Sequence, residues 1–179
     1  MMKTAVLLAD GFEEIVALTV VDIMRRANVQ CDMIAIKDIN VTGAHNIGVK
    51  ADKVIDNDIK DYDLIVLPGG MPGATNLQQD MKVLDTVRFF KENNKYVAAI
   101  CAAPIVLASV GIIENRNITS YPGFEDQLSG CNYKEDRVVV DGNIITSRGP
   151  ATAMEFAYKL LEQLGIESHK EISKGMLYR

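Results

Sequence analysis

Cys101 is the side chain best placed for chemistry in this chain. It follows an apolar run of strand character, Tyr96 to Ile100, and precedes a run of helical character, Ala102 to Val110, which Gly111 can end. A cysteine at a strand-to-helix turn has its sulfur near unpaired helix amides, which favour the thiolate. Ala99 and Ala103, two residues to either side, relieve crowding as the glycines do in a Gly-x-Ser-x-Gly elbow. Pro104 suits a first helical turn, where a missing N–H costs nothing. The chemistry expected is that of a nucleophile or redox-sensing thiol with a depressed pKa; the plain alternative is a small apolar residue packed in a turn.

Few other residues can assist it. There are two histidines, His45 and His169, and neither adjoins Cys101 in sequence. Cys31 fits the inward face of a strand, and Cys131 lies in a loop; pairing of either with Cys101 is not expected. With no Cys-x-x-Cys, neither a structural zinc site nor a dithiol motif is expected, and no metal or cofactor is called for. The acids Glu13 and Glu14 open a helix, where the dipole favours them in any case. Pro68-Gly69-Gly70 lets backbone come close to a ligand. It is not a phosphate loop, since Gly-Lys-Ser/Thr is missing and no helix is expected directly behind it. Arg148, in Ser147-Arg148-Gly149-Pro150, suits holding backbone carbonyls or a substrate oxygen.

The elements that position these residues alternate. Lys3 to Ala9, Cys31 to Ile36, Tyr62 to Leu67 and Tyr96 to Ile100 are apolar runs of strand length. Glu14 to Ala27 has helical spacing, with Ile15, Leu18, Val21 and Met24 on one stripe, and Asp80 caps a helix to Asn93. Val41 to Gly43 and Ile47 to Ala51 suit a small hairpin carrying His45 at the border of the cleft or of a partner subunit. Asp141-Gly142 joins two further strands, and Pro150 to Leu164 is a last helix stopped by Gly165. Apolar strands alternating with helices imply an α/β fold with a mostly parallel sheet covered on both faces. Ligands of such sheets bind beyond the carboxyl ends of the strands. Asp10 to Glu14, Pro68 to Gly73, Cys101 and Ser147 to Pro150 should therefore meet at one edge.

The chain of 179 residues suits one domain, 1–179. Its net charge of −5 argues against nucleic acid as a partner. No membrane-length apolar stretch or signal-peptide layout is seen, so a cytoplasmic location and no membrane partner are expected.

Four motifs in order carry a resemblance: Asp10-Gly11-Phe12-Glu13-Glu14, Leu67-Pro68-Gly69-Gly70, Ala99-Ile100-Cys101-Ala102-Ala103-Pro104 and Thr146-Ser147-Arg148-Gly149-Pro150. Together they resemble the ThiJ/PfpI superfamily, most of all its parkinsonism-associated deglycase branch and bacterial relatives. The resemblance implies a flavodoxin-like three-layer sandwich of class I glutamine amidotransferase type and a homodimer, formed through the first helix and the hairpin. Arg25 and Arg26 would then pair with acids across the two-fold axis. It also implies that the family's cysteine is Cys101, with the amides of Gly70 and Ala102 as an oxyanion hole. Such donors lower the barrier by about 3–4 kcal/mol each. Described activities in the family are deglycase, glyoxalase, oxidative-stress sensor and redox-regulated chaperone. The substrate implied is a small reactive carbonyl or glycated group.

Two departures from the family stand out. Its pattern continues Glu-Glu-x-Glu, with the last glutamate reaching the cysteine; here that position is Val16. Glu13, Glu14 or water must then move protons. Histidines that pair with the cysteine in other branches are replaced by Ala102 and Tyr121, so peptidase and glutaminase activities are not expected. Three outcomes stay open: a carbonyl-processing enzyme, a non-catalytic sensor or chaperone using Cys101 oxidation, or a member that keeps only the fold.

Overall fold

The computed structural model describes residues 2–178. The strands in chain order are β1 (Lys3–Leu8), β2 (Gln30–Ala35), β3 (Asn40–Thr42), β4 (Gly48–Lys50), β5 (Lys53–Val54), β6 (Leu64–Leu67), β7 (Tyr96–Ile100), β8 (Asn117–Ile118), β9 (Asn132–Tyr133), β10 (Val138–Asp141) and β11 (Ile144–Ser147). The helices are α1 (Glu14–Arg26), α2 (Gly73–Gln79), α3 (Met81–Glu92), α4 (Pro104–Ser109), α5 (Ala153–Gln163) and α6 (His169–Gly175).

Seven strands form one sheet in the order β10-β11-β7-β6-β1-β2-β5. Every pairing is parallel except β10 with β11, the hairpin turned by Asp141-Gly142. The inner strands are apolar on both sides because both faces are covered. On one face α2, α3 and α4 pack Leu77, Phe90 and Val106 against Leu7 and Leu67. On the other, α1 and α5 pack Val16, Val20, Phe156 and Leu160 against Val6 and Val66. The α/β sandwich expected from the alternating runs is therefore observed. Among the described residues no helix is long and apolar enough to cross a membrane.

Several details correct the sequence reading. The buried stripe of α1 is Val16, Ala17, Val20, Ile23 and Met24, whereas Ile15 is 55% exposed and Leu18 only partly covered. The helix is apolar nearly all round at its start, so spacing alone does not say which stripe faces the sheet. Arg25 and Arg26 are already paired within the chain, with Asp52 and Asp22, each at 2.6 Å. A helix does open behind Pro68-Gly69-Gly70: α2 begins at Gly73, with the Ala74 amide donating to the Gly70 carbonyl. Its sequence, Gly-Ala-Thr-Asn-Leu, has one large apolar side chain and so little periodicity. Conversely α4 starts at Pro104 rather than Ala102, with three turn residues between the strand and the helix.

Candidate functional site

The sheet edge at the carboxyl ends of β1, β6, β7 and β11 collects the four segments into one cluster of turns. Cys101 leaves β7 with φ +64°, a left-handed conformation that β-carbon crowding disfavours. The surrounding backbone holds it there. Its amide donates to the Ser147 carbonyl at 3.0 Å, and its carbonyl accepts from the Tyr121 amide at 2.8 Å. Ala99 and Ala103 are fully buried beside it, as the elbow pattern requires.

The β6–α2 turn lies directly against this elbow. At Gly69 a β-carbon would crowd the Ala102 nitrogen and the Ile100 carbonyl, both at 2.9 Å. Gly70 takes φ +90° with its α-carbon facing the Gly11–Glu13 backbone, where a side chain has no space. The Glu13 amide donates to the Gly69 carbonyl at 2.8 Å, which locks the first turn to the second. As a result the amides of Gly70 and Ala102 both hydrogen-bond the Cys101 sulfur. This is the donor pair named from the sequence.

The sulfur is less exposed than its turn position suggests. Cys101 is 8% exposed and belongs to the apolar cluster on the α1 and α5 face. Burial pushes its thiol up, the two amides pull it down, and the charge of Glu13 opposes the thiolate; the net direction is upward. The expectation of a depressed thiol is thus overturned. The helix behind Cys101 is only six residues long and starts three residues on, so its dipole does little against desolvation. Cys31 is buried and pushed up to about 12 by desolvation, in keeping with packing. Cys131 is half-buried rather than exposed, and its thiol is raised by burial as well.

Around the sulfur, Glu13 caps α1, its side chain accepting from the Ile15 amide at 3.4 Å, and is 12% exposed. Glu14 points to the hairpin instead. Its carboxylate accepts from the His45 backbone amide and faces His45 Nδ1, each at 2.8 Å. Burial pushes Glu14 up, but those hydrogen bonds outweigh it and hold the carboxyl below its usual range. His45 Nδ1 also lies 3.7 Å from Glu13, so this histidine borders the cleft from its own chain. Glu13, Glu14 and His45 offer ligand-type atoms within 4.8 Å of one another, yet the ring nitrogen and the Glu14 carboxylate are already engaged with each other. The arrangement is an ion pair rather than an open cation site.

Val16 is fully buried in the same cluster as Cys101 and presents no polar atom to it. Arg148 donates to the carbonyls of Ser120 and Glu135, at 3.3 and 3.2 Å, and ties two loops together. Tyr121 lies over Gly149, where a β-carbon would meet its ring at 3.2 Å. His169 is far along the chain, at the start of α6. The contact between His45 and the acids was not legible in the sequence, because it joins residues 31 apart through hairpin docking. One hint was available: Gly43 has no room for a side chain because Glu14 fills that space.

Comparison with known proteins agrees with this geometry. The model of the DJ-1/PfpI family matches residues 2–163. The chain belongs to the DJ-1/PfpI family. It is similar to protein dj-1beta of Drosophila melanogaster, with 38% identity over 183 residues, covering 99% of this chain and 98% of that protein. The crystal structure of the fly DJ-1beta superposes with a TM-score of 0.95 over the full length of both chains. A Schizosaccharomyces pombe protein named glutathione-independent glyoxalase DJ-1 is 34% identical over 176 residues, covering 92% of each. The structure of Toxoplasma gondii DJ-1, described as oxidized, matches with a TM-score of 0.94 at 37% identity, covering 99% of each chain. The resemblance drawn from the four motifs therefore holds for family and fold.

Proposed function

We propose that this protein is a cysteine-dependent, glyoxalase-like or deglycase-like enzyme acting on small reactive carbonyls. The observation that carries the reading is the paired approach of the Gly70 and Ala102 amides to the Cys101 sulfur. Two donors beside a nucleophile are where the oxygen of an attacked carbonyl would come to rest. The similarity to a protein named as a glyoxalase supports the same class.

With methylglyoxal as substrate, the Cys101 thiol gives up its proton as sulfur bonds to the aldehyde carbon. The carbonyl oxygen takes the electron pair and is held by the two amides. The hydrogen on that carbon then leaves as a proton, and a proton is delivered to the neighbouring carbon, which converts the hemithioacetal into a thioester. Water breaks the carbon–sulfur bond, giving lactate and the free thiol. Oxidation at one carbon is matched by reduction at the next, so no external oxidant is needed. With Val16 unable to move protons, Glu13 is the carboxylate we assign to the task, because its charge is the acidic one felt at the sulfur. Glu14 is committed to His45. The raised thiol means that attack needs a base at neutral pH, which makes Glu13 more than an electrostatic neighbour.

A second reading has one observation in its favour. The same two amides would stabilise the oxygens of an oxidised sulfur, and Cys101 would then serve as a stress sensor. Burial and the nearby Glu13 charge weigh against ready oxidation. We also take the active form to be a homodimer using the exposed Ile15 side of α1 and the β3–β4 hairpin. Lactate formation from methylglyoxal without added glutathione tests the main reading. Wild type should turn over and Cys101→Ala should lose at least about a hundredfold in rate. Equal rates would refute it, and prompt peroxide oxidation of Cys101 without turnover would favour the sensor.

A further inference from the structure

His45 ends a line of charge that begins at the sulfur. Glu13 opposes a thiolate on Cys101, and His45 Nδ1 stands 3.7 Å from Glu13 and 2.8 Å from Glu14. The ring is not free to drift. The His45 amide donates to Glu14, the Ala44 amide to the Phe12 carbonyl, and the Gly11 amide to the Thr42 carbonyl, each at 2.8 Å. The hairpin tip is thereby fixed onto the start of α1 with the imidazole beside both acids.

We propose that His45, as the imidazolium, is a positioning residue that offsets the charge of Glu13 and so keeps a Cys101 thiolate accessible at and below neutral pH. The proposal rests on Cys101 being the reactive group of the site. Two buried or half-buried acids beside a thiol would otherwise suppress its ionisation, since like charges at this range raise one another's pKa values. One cation placed between them cancels part of that field.

No other charged group is placed to do the same. Asp10 is turned to the Thr42 amide and shares a small cavity with Lys37 and Asp38. Lys50 sits opposite Asn40 at the open end of the hairpin. The Pro68–Gly73 turn carries no charge. Arg148 is engaged with the Ser120 and Glu135 carbonyls and lies near Glu125. The Glu14 hydrogen bond and the Glu13 charge raise the pKa of His45, so it stays cationic further toward neutrality than an ordinary histidine.

The pH dependence separates this role from a structural one. An imidazolium acts only while protonated, whereas a packing role persists at any pH. The test is the rate of Cys101 alkylation by iodoacetamide, followed on the Cys101 peptide, in wild type, His45→Gln and His45→Lys. At pH 6 the Gln variant should react about threefold more slowly, and at pH 9 at the wild-type rate. The Lys variant, which keeps a cation, should hold the wild-type rate at pH 6. Equal slowing of the Gln variant at both pH values, or no slowing at pH 6, would overturn the proposal. The equal rate at pH 9 also reports that the variant is folded. Alkylation reads the thiol and not turnover, so the result stands or falls separately from the carbonyl activity.

Discussion

Gly69 and Cys101 leave no room between them: a β-carbon on Gly69 would stand 2.5 Å from the β-carbon of Cys101. The close approach is what brings the next amide, that of Gly70, onto the sulfur. Gly69→Ala should therefore force the two turns apart. We expect a loss of about 1–3 kcal/mol in stability, read from denaturant midpoints, as for overpacking in a tight core. Alkylation of Cys101 should also change, since one of its two donors moves.

Val16→Glu would place a carboxyl in the apolar cluster that holds Cys101. Burial would raise its pKa above the unfolded value of about 4.3. A raised acid destabilises the fold once pH exceeds the unfolded value, so the variant should match wild type near pH 4 and lose about 1–3 kcal/mol by pH 7. A neutral carboxyl there can donate toward the sulfur, and lactate formation should rise about tenfold. Urea midpoints and initial rates measured on one preparation decide both points. An unchanged rate would mean that Glu13 already meets the need.

The His45–Glu14 pair sets a window of stability. His45 is raised from 6.5, so its contribution is full below that value and fades as pH climbs through its higher folded pKa. Glu14 is lowered from 4.5, so its contribution is present above that value and fades as pH falls through its lower folded pKa. Wild type should exceed His45→Gln most between about pH 4.5 and 6.5, and the gap should close toward pH 9. Urea midpoints at pH 4, 6 and 9 check this.

Much of the site could be read from residue order, because parallel sheets place strand-end turns together whatever their distance in sequence. Cys101, Gly70, Ala102 and the Glu13-Glu14 pair follow apolar runs that had to be inner strands, and the structure brings all of them to one edge. Energetic quantities were harder to read. A turn before a helix suggests a stabilised thiolate, yet desolvation of Cys101 is a property of what packs over it, which local sequence does not state. Short elements escaped for a related reason. The strands β8 and β9 have two residues each, and α6 (His169–Gly175) has no fully buried side chain to mark a periodic face. The partner of Glu14 was hidden because hairpin docking, not spacing, brings His45 to it.

The most direct test of Cys101 as the nucleophile is mass spectrometry of protein quenched during turnover of methylglyoxal. A single substrate-derived adduct should be found on the Cys101 peptide, rising before lactate accumulates and decaying when substrate is spent. An adduct confined to Cys131, or lactate formed at an undiminished rate by Cys101→Ala, would contradict the account.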